Sequence, residues 1–254
     1  MWFEQAKASI ASVDGDIALL VKNLATGEIF SHRGDEVFPS ASTIKVPILV
    51  TLLGAVAEGK LDLNAPAPIP TGQVAGGCGI IQMLSAEIPF TLLDHAIMMI
   101  VLSDNAATNQ LISTLGIDAI NATCQKLGMK DTVLGRKMMD FEAKQRGLDN
   151  FTSCQDMLTL FTFLHQNAAQ FDGAVQILKA QLLNDLLPTF TNRASYAFAH
   201  KTGELPGIRH DVGIMYLDDP IFVAFLSKNL TDEFAGVRLA NELGVLLCDT
   251  FQTK

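Results

Sequence analysis

The stretch Ser42-Thr43-Ile44-Lys45 runs directly into the apolar segment Val46-Pro47-Ile48-Leu49-Val50, and it decides how the rest of the chain is interpreted. The apolar segment predicts a buried helix that begins near Ser42. Since residues i and i+3 share one face of a helix, the hydroxyl of Ser42 and the amine of Lys45 are expected to lie close together. A serine becomes a nucleophile when a nearby base takes its proton, and a lysine with a lowered pKa can be that base. The alternative is an N-capping serine and a lysine that extends to solvent.

Composition limits the classes of function. The chain has 254 residues, of which 49% are hydrophobic and 18% charged, as in a globular protein with a sizeable core. The net charge of -9, without a basic cluster, argues against a nucleic-acid partner. The longest apolar run, residues 46–57, contains Pro47 and is too short to span a bilayer. The first residues lack the features of a signal peptide, so we expect a cytoplasmic protein or an exported one whose leader has been removed.

The cysteines and glycines do not indicate a bound group. The four cysteines show no metal-ligand spacing, so we expect free thiols, no metal site and no cofactor. The glycine-rich stretch Gly76-Gly77-Cys78-Gly79 lacks the spacing of a phosphate-binding loop.

Strand-like segments lie at both ends of the chain and helical segments lie between them. A hairpin is predicted near the N-terminus and three consecutive strands near the C-terminus, at residues 17–21, 28–32, 196–202, 211–217 and 221–226. Further helices are predicted at residues 2–13, 91–100, 105–115, 118–127, 153–164 and 174–187, and from Thr231 onward. We therefore predict an α+β fold with a five-stranded antiparallel sheet, N- and C-terminal helices beside it, and an all-helical lobe. The expected domains are residues 1–41 with 189–254, which carry the sheet, and residues 42–188, with the active site between them.

Two further motifs lie at the boundaries of predicted elements. Ser103-Asp104-Asn105 lies between two predicted helices, and Lys201-Thr202-Gly203 ends a late strand. Alone, the first is a helix cap and the second is a strand end. Together with Ser-x-x-Lys, and in this order, they are the motif set of class A β-lactamases and penicillin-binding proteins. The chain thus resembles the class A β-lactamase-like serine hydrolases over nearly its whole length, with further matches at Val37-Phe38-Pro39, Ala106, Asn109 and residues 150–157.

The resemblance implies a role for each residue of the first two motifs. Ser42 would be the acylated nucleophile, and Lys45 would shuttle its proton. Ser103 would relay a proton to the leaving nitrogen, which must be protonated as it departs. Asn105 would hold the side-chain amide of the substrate and Lys45.

The resemblance also implies the substrate-binding residues on the late strand. Lys201, Thr202 and Gly203 would form the binding site for the substrate carboxylate. The backbone N–H groups of Ser42 and Glu204 would form the oxyanion hole. The Glu204 side chain stands where relatives carry a small residue, and its charge should weaken anionic substrates.

Arg209 would be a further substrate-binding residue, since many relatives keep a carboxylate-binding arginine near this position. The alternative for Arg209 is a surface salt bridge.

The match fails in one loop. Class A enzymes clear the acyl-serine with water that is activated by a glutamate two residues after an arginine. Here Met138 stands two residues after Arg136, and a thioether cannot accept a proton from water. Asp140 and Glu142 are the catalytic candidates to replace that glutamate from a shifted loop. The alternative for both, and the one that the sequence favours, is an ordinary solvent-facing loop acid. We expect β-lactams to acylate Ser42 and the acyl-enzyme to be cleared slowly.

Three functions fit this motif set. The first is a β-lactamase-like hydrolase, the second a D-Ala-D-Ala carboxypeptidase or esterase, and the third a penicillin-binding module that acylates without turnover. The expected substrate is a small-molecule β-lactam or a cell-wall peptide, and the expected state is a monomer.

Overall fold

The computed structural model describes residues 2–69, 74–85 and 88–253. The N-terminal part contains α1 (Trp2–Ala11), β1 (Asp16–Asn23), β2 (Ile29–His32) and β3 (Phe38–Pro39). The helical part contains α2 (Lys45–Ala57), α3 (Leu92–Val101), α4 (Asn105–Leu115), α5 (Ile117–Leu127), α6 (Phe141–Gln145), α7 (Cys154–Gln166) and α8 (Ala168–Lys179), with the short strand β4 (Phe151–Thr152) before α7. The C-terminal part contains β5 (Ala197–Leu205), β6 (Ile208–Tyr216), β7 (Pro220–Lys228) and α9 (Glu233–Phe251).

The main sheet joins the two ends of the chain. Its strand order is β2-β1-β7-β6-β5, and every neighbouring pair is antiparallel. A two-residue ladder between β3 and β4 forms a second, small sheet. The predicted α+β fold with a five-stranded antiparallel sheet is therefore confirmed.

The sheet is covered on both faces, which explains why its strands read as nearly continuous apolar runs. On β1, Leu19 and Val21 pack in one cluster with residues of α1 and α9. Ala18 and Leu20 point to the opposite face and pack in the larger cluster that the helical part builds. One strand thus joins two cores, and the helical part is held against the sheet.

Helix α2 is the central helix of the larger core. Residues 45–52 are all buried, so the apolar run of the sequence is surrounded by other helices rather than facing solvent. Ser42 lies one turn earlier, in a short 3-10 helix, Ala41–Ile44, and the α-helix proper begins at Lys45. Within the described ranges, no helix has the length and hydropathy needed to cross a bilayer.

Strand β5 packs directly against the segment that carries Ser42. A Cβ atom added at Gly203 would lie 3.1 Å from the backbone nitrogen of Ser42 and 3.3 Å from the carbonyl oxygen of Ser40. Only a residue without a side chain allows this approach comfortably. The third residue of Lys-Thr-Gly thus sets how close the edge strand comes to the serine.

Candidate active site

A cleft of about 620 Å³ lies between β5, the Ser42 segment and the loop before β5. It brings together residues of all three motifs: Ser42 of the first, Ser103 of the second, and Thr202 and Gly203 of the third. Two loop segments complete its wall, at Cys78 and at residues 182–186. The three motifs that were separate in sequence therefore meet at one cavity.

Lys45 lies buried below this cleft and joins two of the motifs. Its Nζ donates to the carbonyl oxygen of Ser103 at 2.8 Å, to Ser103 Oγ at 3.0 Å and to Asn105 Oδ1 at 3.0 Å. The first residue of α2 is thus tied to the turn between α3 and α4. A proton that reaches Lys45 has a direct hydrogen-bonded route to the hydroxyl of Ser103.

The electrostatics of the two lysines favour proton transfer. Burial, followed by the nearby charge of Lys201, holds the pKa of Lys45 well below its ordinary value. Burial also lowers the pKa of Lys201, to about 8. Because both effects disfavour the ammonium form, Lys45 is suited to accept a proton near neutral pH. Lys201 keeps its charge below about pH 8 and donates to the carbonyl oxygen of Thr202 at 3.0 Å.

Ser103-Asp104-Asn105 holds both a helix and a loop. Asp104 caps α4 by accepting from the N–H of Ala107 at 2.9 Å. Its other carboxylate oxygen accepts from the N–H groups of Ile80 and Ile81 at 2.7 and 2.9 Å. Ser103 has a φ of 52°, in the left-handed region that non-glycine residues rarely adopt. The strained backbone of Ser103 accompanies the contact of its hydroxyl with Lys45. The Asp104 carboxylate holds the loop that forms one wall of the cleft.

Asn105 also belongs to this wall. Its N–H donates to the carbonyl oxygen of Cys78 at 3.0 Å, and its Nδ2 donates to the carbonyl oxygen of Gly76 at 3.1 Å. Its Oδ1 remains directed at Lys45. One amide side chain thus links the glycine-rich loop with the buried lysine.

In the loop after Arg136, the backbone of Met138 is held by the side chain of Asn109. Arg136 pairs with Asp149 at 2.8 Å across the base of the loop. The side chain of Asn109 accepts from the N–H of Met138 at 2.7 Å and donates to the Met138 carbonyl oxygen at 3.0 Å. The Met138 side chain is only 9% exposed and packs in the larger core.

The two acids proposed to replace the glutamate lie elsewhere on this loop. Asp140 caps α6 by accepting from the N–H of Ala143 at 2.9 Å, and the residue is half-buried. Glu142 lies in the first turn of α6 and is exposed. The residues described as lining the cleft around Ser42 do not include either acid. Their catalytic roles stay a prediction, and the observed contacts are those of a capping and a solvent-facing acid.

Arg209 and Glu204 line the far end of the cleft, and they contact each other. The Nη2 atom of Arg209 lies 3.0 Å from Glu204 Oε1 and 2.5 Å from Glu233 Oε2. The Nη1 atom donates to the carbonyl oxygens of Leu205 and Ile208 at 3.1 and 2.7 Å. Arg209 therefore lines the cleft and lies in a salt bridge in which its own side chain is largely buried rather than on the surface, and its substrate-binding role stays a prediction.

Several cleft residues were not singled out from the sequence. The segment with Leu182, Asn184 and Asp185 forms one wall, and it is held by the buried pair His200–Asp211, whose Nδ1–Oδ1 distance is 2.7 Å. The second ring nitrogen of His200 lies 3.0 Å from Asn184 Oδ1. No short motif marks this wall, and the one available signal was the histidine directly before Lys-Thr-Gly.

Comparison with known proteins agrees with this geometry. Residues 3–251 match the sequence model of the β-lactamase enzyme family, Beta-lactamase2. The chain is 26% identical to β-lactamase ROB-1 of Haemophilus influenzae over 251 residues, which cover 91% of this chain and 78% of that protein. It is 27% identical to β-lactamase CARB-4 of Pseudomonas aeruginosa over 134 residues, which cover 52% of this chain and 46% of that protein.

Solved structures are similar over almost the full chain. A β-lactamase from Sphaerobacter thermophilus superposes with a TM-score of 0.91 at 26% identity, covering 98% of this chain and 97% of that one. The protein PBP-A superposes with a TM-score of 0.88 at 27% identity, covering 98% of this chain and 95% of that one. A mutant of PBP-A was determined as an acyl-enzyme complex with penicillin G.

The fold and the three converging motifs define a serine hydrolase of the β-lactamase and penicillin-binding protein superfamily. The chain belongs to the β-lactamase enzyme family.

Proposed function

We propose that this protein opens the amide bond of β-lactams through an acyl-serine at Ser42 and clears that acyl-enzyme slowly. The observation that carries the proposal is the hydrogen-bonded group formed by Lys45, Ser103 and Asn105 at the cleft that Ser42 lines. It supplies a base with a lowered pKa three residues after the nucleophile and a hydroxyl that can pass the proton on.

The proposed acylation step uses these groups in sequence. Ser42 Oγ attacks the carbonyl carbon of the lactam, and its proton moves to Lys45 Nζ. The oxyanion is stabilised by the backbone N–H groups of Ser42 and Glu204. When the C–N bond breaks, the nitrogen takes a proton from Ser103 Oγ, and Ser103 regains one from Lys45. Lys201 and Thr202 hold the substrate carboxylate during this step.

Slow deacylation is proposed from Met138. The Asn109 side chain fixes the backbone at the position two residues after Arg136, and the side chain found there is a thioether. A thioether cannot take the proton of an attacking water, so the acyl-serine has lost the base that class A relatives use. A mutant of the similar protein PBP-A forms an acyl-enzyme with penicillin G, which supports the acylation half of the proposal.

The proposal extends to the domain organisation, the oligomeric state and the substrate of the protein. We propose that the sheet domain, residues 1–41 and 189–254, and the helical domain, residues 42–188, meet at this cleft. We also propose that the protein acts as a monomer and that a cell-wall peptide is the alternative substrate to a β-lactam.

Three substrates assayed side by side test the function. Nitrocefin, a D-Ala-D-Ala peptide and a p-nitrophenyl ester are each mixed with the intact chain and with Ser42→Ala. We expect a nitrocefin burst equal to the amount of protein, then slow turnover, and neither phase with Ser42→Ala. Rapid release of D-alanine without a nitrocefin burst would replace the proposal with a carboxypeptidase. Ester hydrolysis alone would replace it with an esterase, and a burst without later turnover would indicate a binding module.

A further inference from the structure

Arg209 is held almost entirely by the protein itself. A guanidinium group carries five N–H donors. Both Nη1 protons face backbone carbonyl oxygens, of Leu205 at 3.1 Å and of Ile208 at 2.7 Å. One Nη2 proton binds Glu233 Oε2 at 2.5 Å, and Glu204 Oε1 lies 3.0 Å from the same nitrogen. The side chain is only 12% exposed, so little of the group is open to a ligand.

The two carboxylates around Arg209 are held differently. Glu233 also accepts from the N–H of Gly207 at 2.6 Å, so it fixes the turn between β5 and β6. The Glu204 side chain pairs with Arg209 and is 68% exposed. Both carboxylates line the cleft, and Glu204 is the more exposed and more loosely held of the two.

The position of Glu204 brings its ion pair with Arg209 to the place where a substrate would bind. It follows Lys201-Thr202-Gly203 directly on β5 and lines the same cleft as Ser42. A carboxylate on a bound substrate that reaches for Arg209 meets the Glu204 carboxylate already there. It must displace that group and also lie beside its negative charge, and both effects oppose binding.

We infer that Glu204 is a specificity-determining residue whose carboxylate occupies the place of a substrate carboxylate at Arg209. Lys201 and Thr202 still bind the substrate carboxylate, but the charge of Glu204 lowers the acylation rate of an anionic β-lactam relative to that of an ester in which the carboxylate is masked. This inference rests on the proposed acylation of Ser42, and it names the class of substrate that the acylation step takes.

The test compares one anion with its neutral counterpart. Benzylpenicillin and its methyl ester are each mixed with the full chain, and the second-order rate constant for acylation of Ser42 is measured by intact-mass spectrometry. The variants are Glu204→Gln, which keeps the shape and removes the charge, and Glu204→Asp, which keeps the charge. The control is Glu58→Gln, because Glu58 is a half-exposed surface glutamate that pairs with Lys60 at 2.6 Å outside the cleft.

The readout is the ratio of the two acylation rate constants, anion over ester. An exposed ion pair contributes up to about 1 kcal/mol, so Glu204→Gln is expected to raise this ratio about two- to fivefold. Glu204→Asp and Glu58→Gln should keep the ratio of the unmodified chain. A ratio that stays within about twofold in Glu204→Gln, or that rises equally in Glu204→Asp, overturns the inference while the proposed function stands. If neither probe acylates Ser42 in the unmodified chain, the proposed function fails and the inference fails with it.

Discussion

At the scale of single residues, the proposed mechanism predicts that the two buried lysines set the pH dependence of acylation. Lys45 must be neutral to accept the proton of Ser42, and burial beside Lys201 lowers its pKa. Lys201 must be charged to bind an anion, and its pKa is about 8. Acylation should therefore reach its plateau well below the ordinary lysine pKa and, for an anionic penicillin, fall above about pH 8.

Stopped-flow acylation between pH 5 and pH 10 would measure this profile. The methyl ester of the same penicillin is the control, because it carries no carboxylate for Lys201 to bind. It should share the acid limb and lack the alkaline fall. An anionic penicillin whose acylation rate keeps rising through pH 10 would contradict the assigned roles of the two lysines.

Met138 is the residue whose replacement should restore a missing step. Asn109 already fixes the backbone at this position, so Met138→Glu places a carboxylate where the resemblance puts the general base. We expect the lifetime of the penicillin adduct to shorten by at least about tenfold, since a positioned base contributes about 10²–10⁴-fold. The buried position should also cost stability, which a urea titration would report.

The control for Met138→Glu is its neighbour. Met139 is 41% exposed, and the two Asn109 hydrogen bonds are made to Met138 instead. Met139→Glu therefore adds the same charge without fixing the carboxylate at the position of the general base. Asp140→Asn and Glu142→Gln complete the series. If either of these last two variants lengthened the adduct lifetime, a shifted-loop carboxylate would be acting, and Met138 would not be the cause of slow deacylation.

Some residues of the cleft could be predicted from sequence and others could not. Ser42, Lys45, Ser103 and Lys201 belong to short motifs with fixed spacing, so their shared location followed from the motif set. Asn184 belongs to no such motif. Its position at the cleft depends on a long-range contact with the buried His200–Asp211 pair, which local sequence does not record. The carboxylates that pair with Arg209 could not be predicted either, because salt-bridge partners depend on side-chain geometry across a turn.

At the scale of elements, one close approach ties α9 to the segment that forms the cleft wall. A Cβ atom at Gly244 would lie 1.7 Å from the carbonyl oxygen of Leu187. We expect Gly244→Ala to force the helix away from this segment and to lower the free energy of unfolding by about 3 kcal/mol. Gly54 lies in α2 with no atom within 4 Å of an added Cβ. Gly54→Ala should therefore raise the free energy of unfolding by about 1 kcal/mol.

Urea titration of both variants measures the two changes. Equal effects from Gly244→Ala and Gly54→Ala would mean that the Leu187 contact does not constrain α9.

The same segment shows where helix prediction from sequence failed. A helix was predicted over residues 174–187, whereas α8 spans Ala168–Lys179 and the chain then runs without regular structure to β5. The apolar residues Leu186 and Leu187 that suggested a longer helix are buried in the smaller core instead. Tertiary packing therefore explains their spacing, and local periodicity could not distinguish the two cases.

At the scale of the whole molecule, the sheet and the nucleophile segment are joined by a buried histidine. His210 of β6 donates from Nε2 to the carbonyl oxygen of Pro39 at 2.8 Å, and its Nδ1 accepts from the N–H of Ser227 at 3.1 Å. The neutral ring satisfies both contacts. Burial lowers its pKa from 6.5 to about 4.

This pKa shift predicts how folding stability varies with pH. The unfolded chain binds a proton at His210 below about pH 6.5, whereas the folded chain resists it down to about pH 4. The stabilisation is therefore complete above pH 6.5 and is lost as the pH falls through about 4, by about 3 kcal/mol in total. Urea titrations at a series of pH values should show this loss, and His210→Gln should reduce the slope. An unchanged slope in His210→Gln would assign the acid sensitivity to other groups.

The architecture was the part of the molecule that sequence predicted best. Apolar strand segments at the two chain ends and helical periodicity between them gave the antiparallel sheet, because these patterns extend over many residues. The strand order and the way β5 approaches Ser42 depend on contacts between distant residues such as Gly203, which no local pattern records.

The central claim is that β-lactams acylate Ser42 and that the acyl-enzyme is hydrolysed slowly. The most direct measurement is the intact mass of the full chain at intervals after mixing with benzylpenicillin, with peptide mapping of the modified residue. We expect one added penicillin on Ser42, persisting for many times the mixing time, and no adduct on Ser42→Ala. Prompt return to the unmodified mass, an adduct on another residue, or no adduct at all would contradict the account.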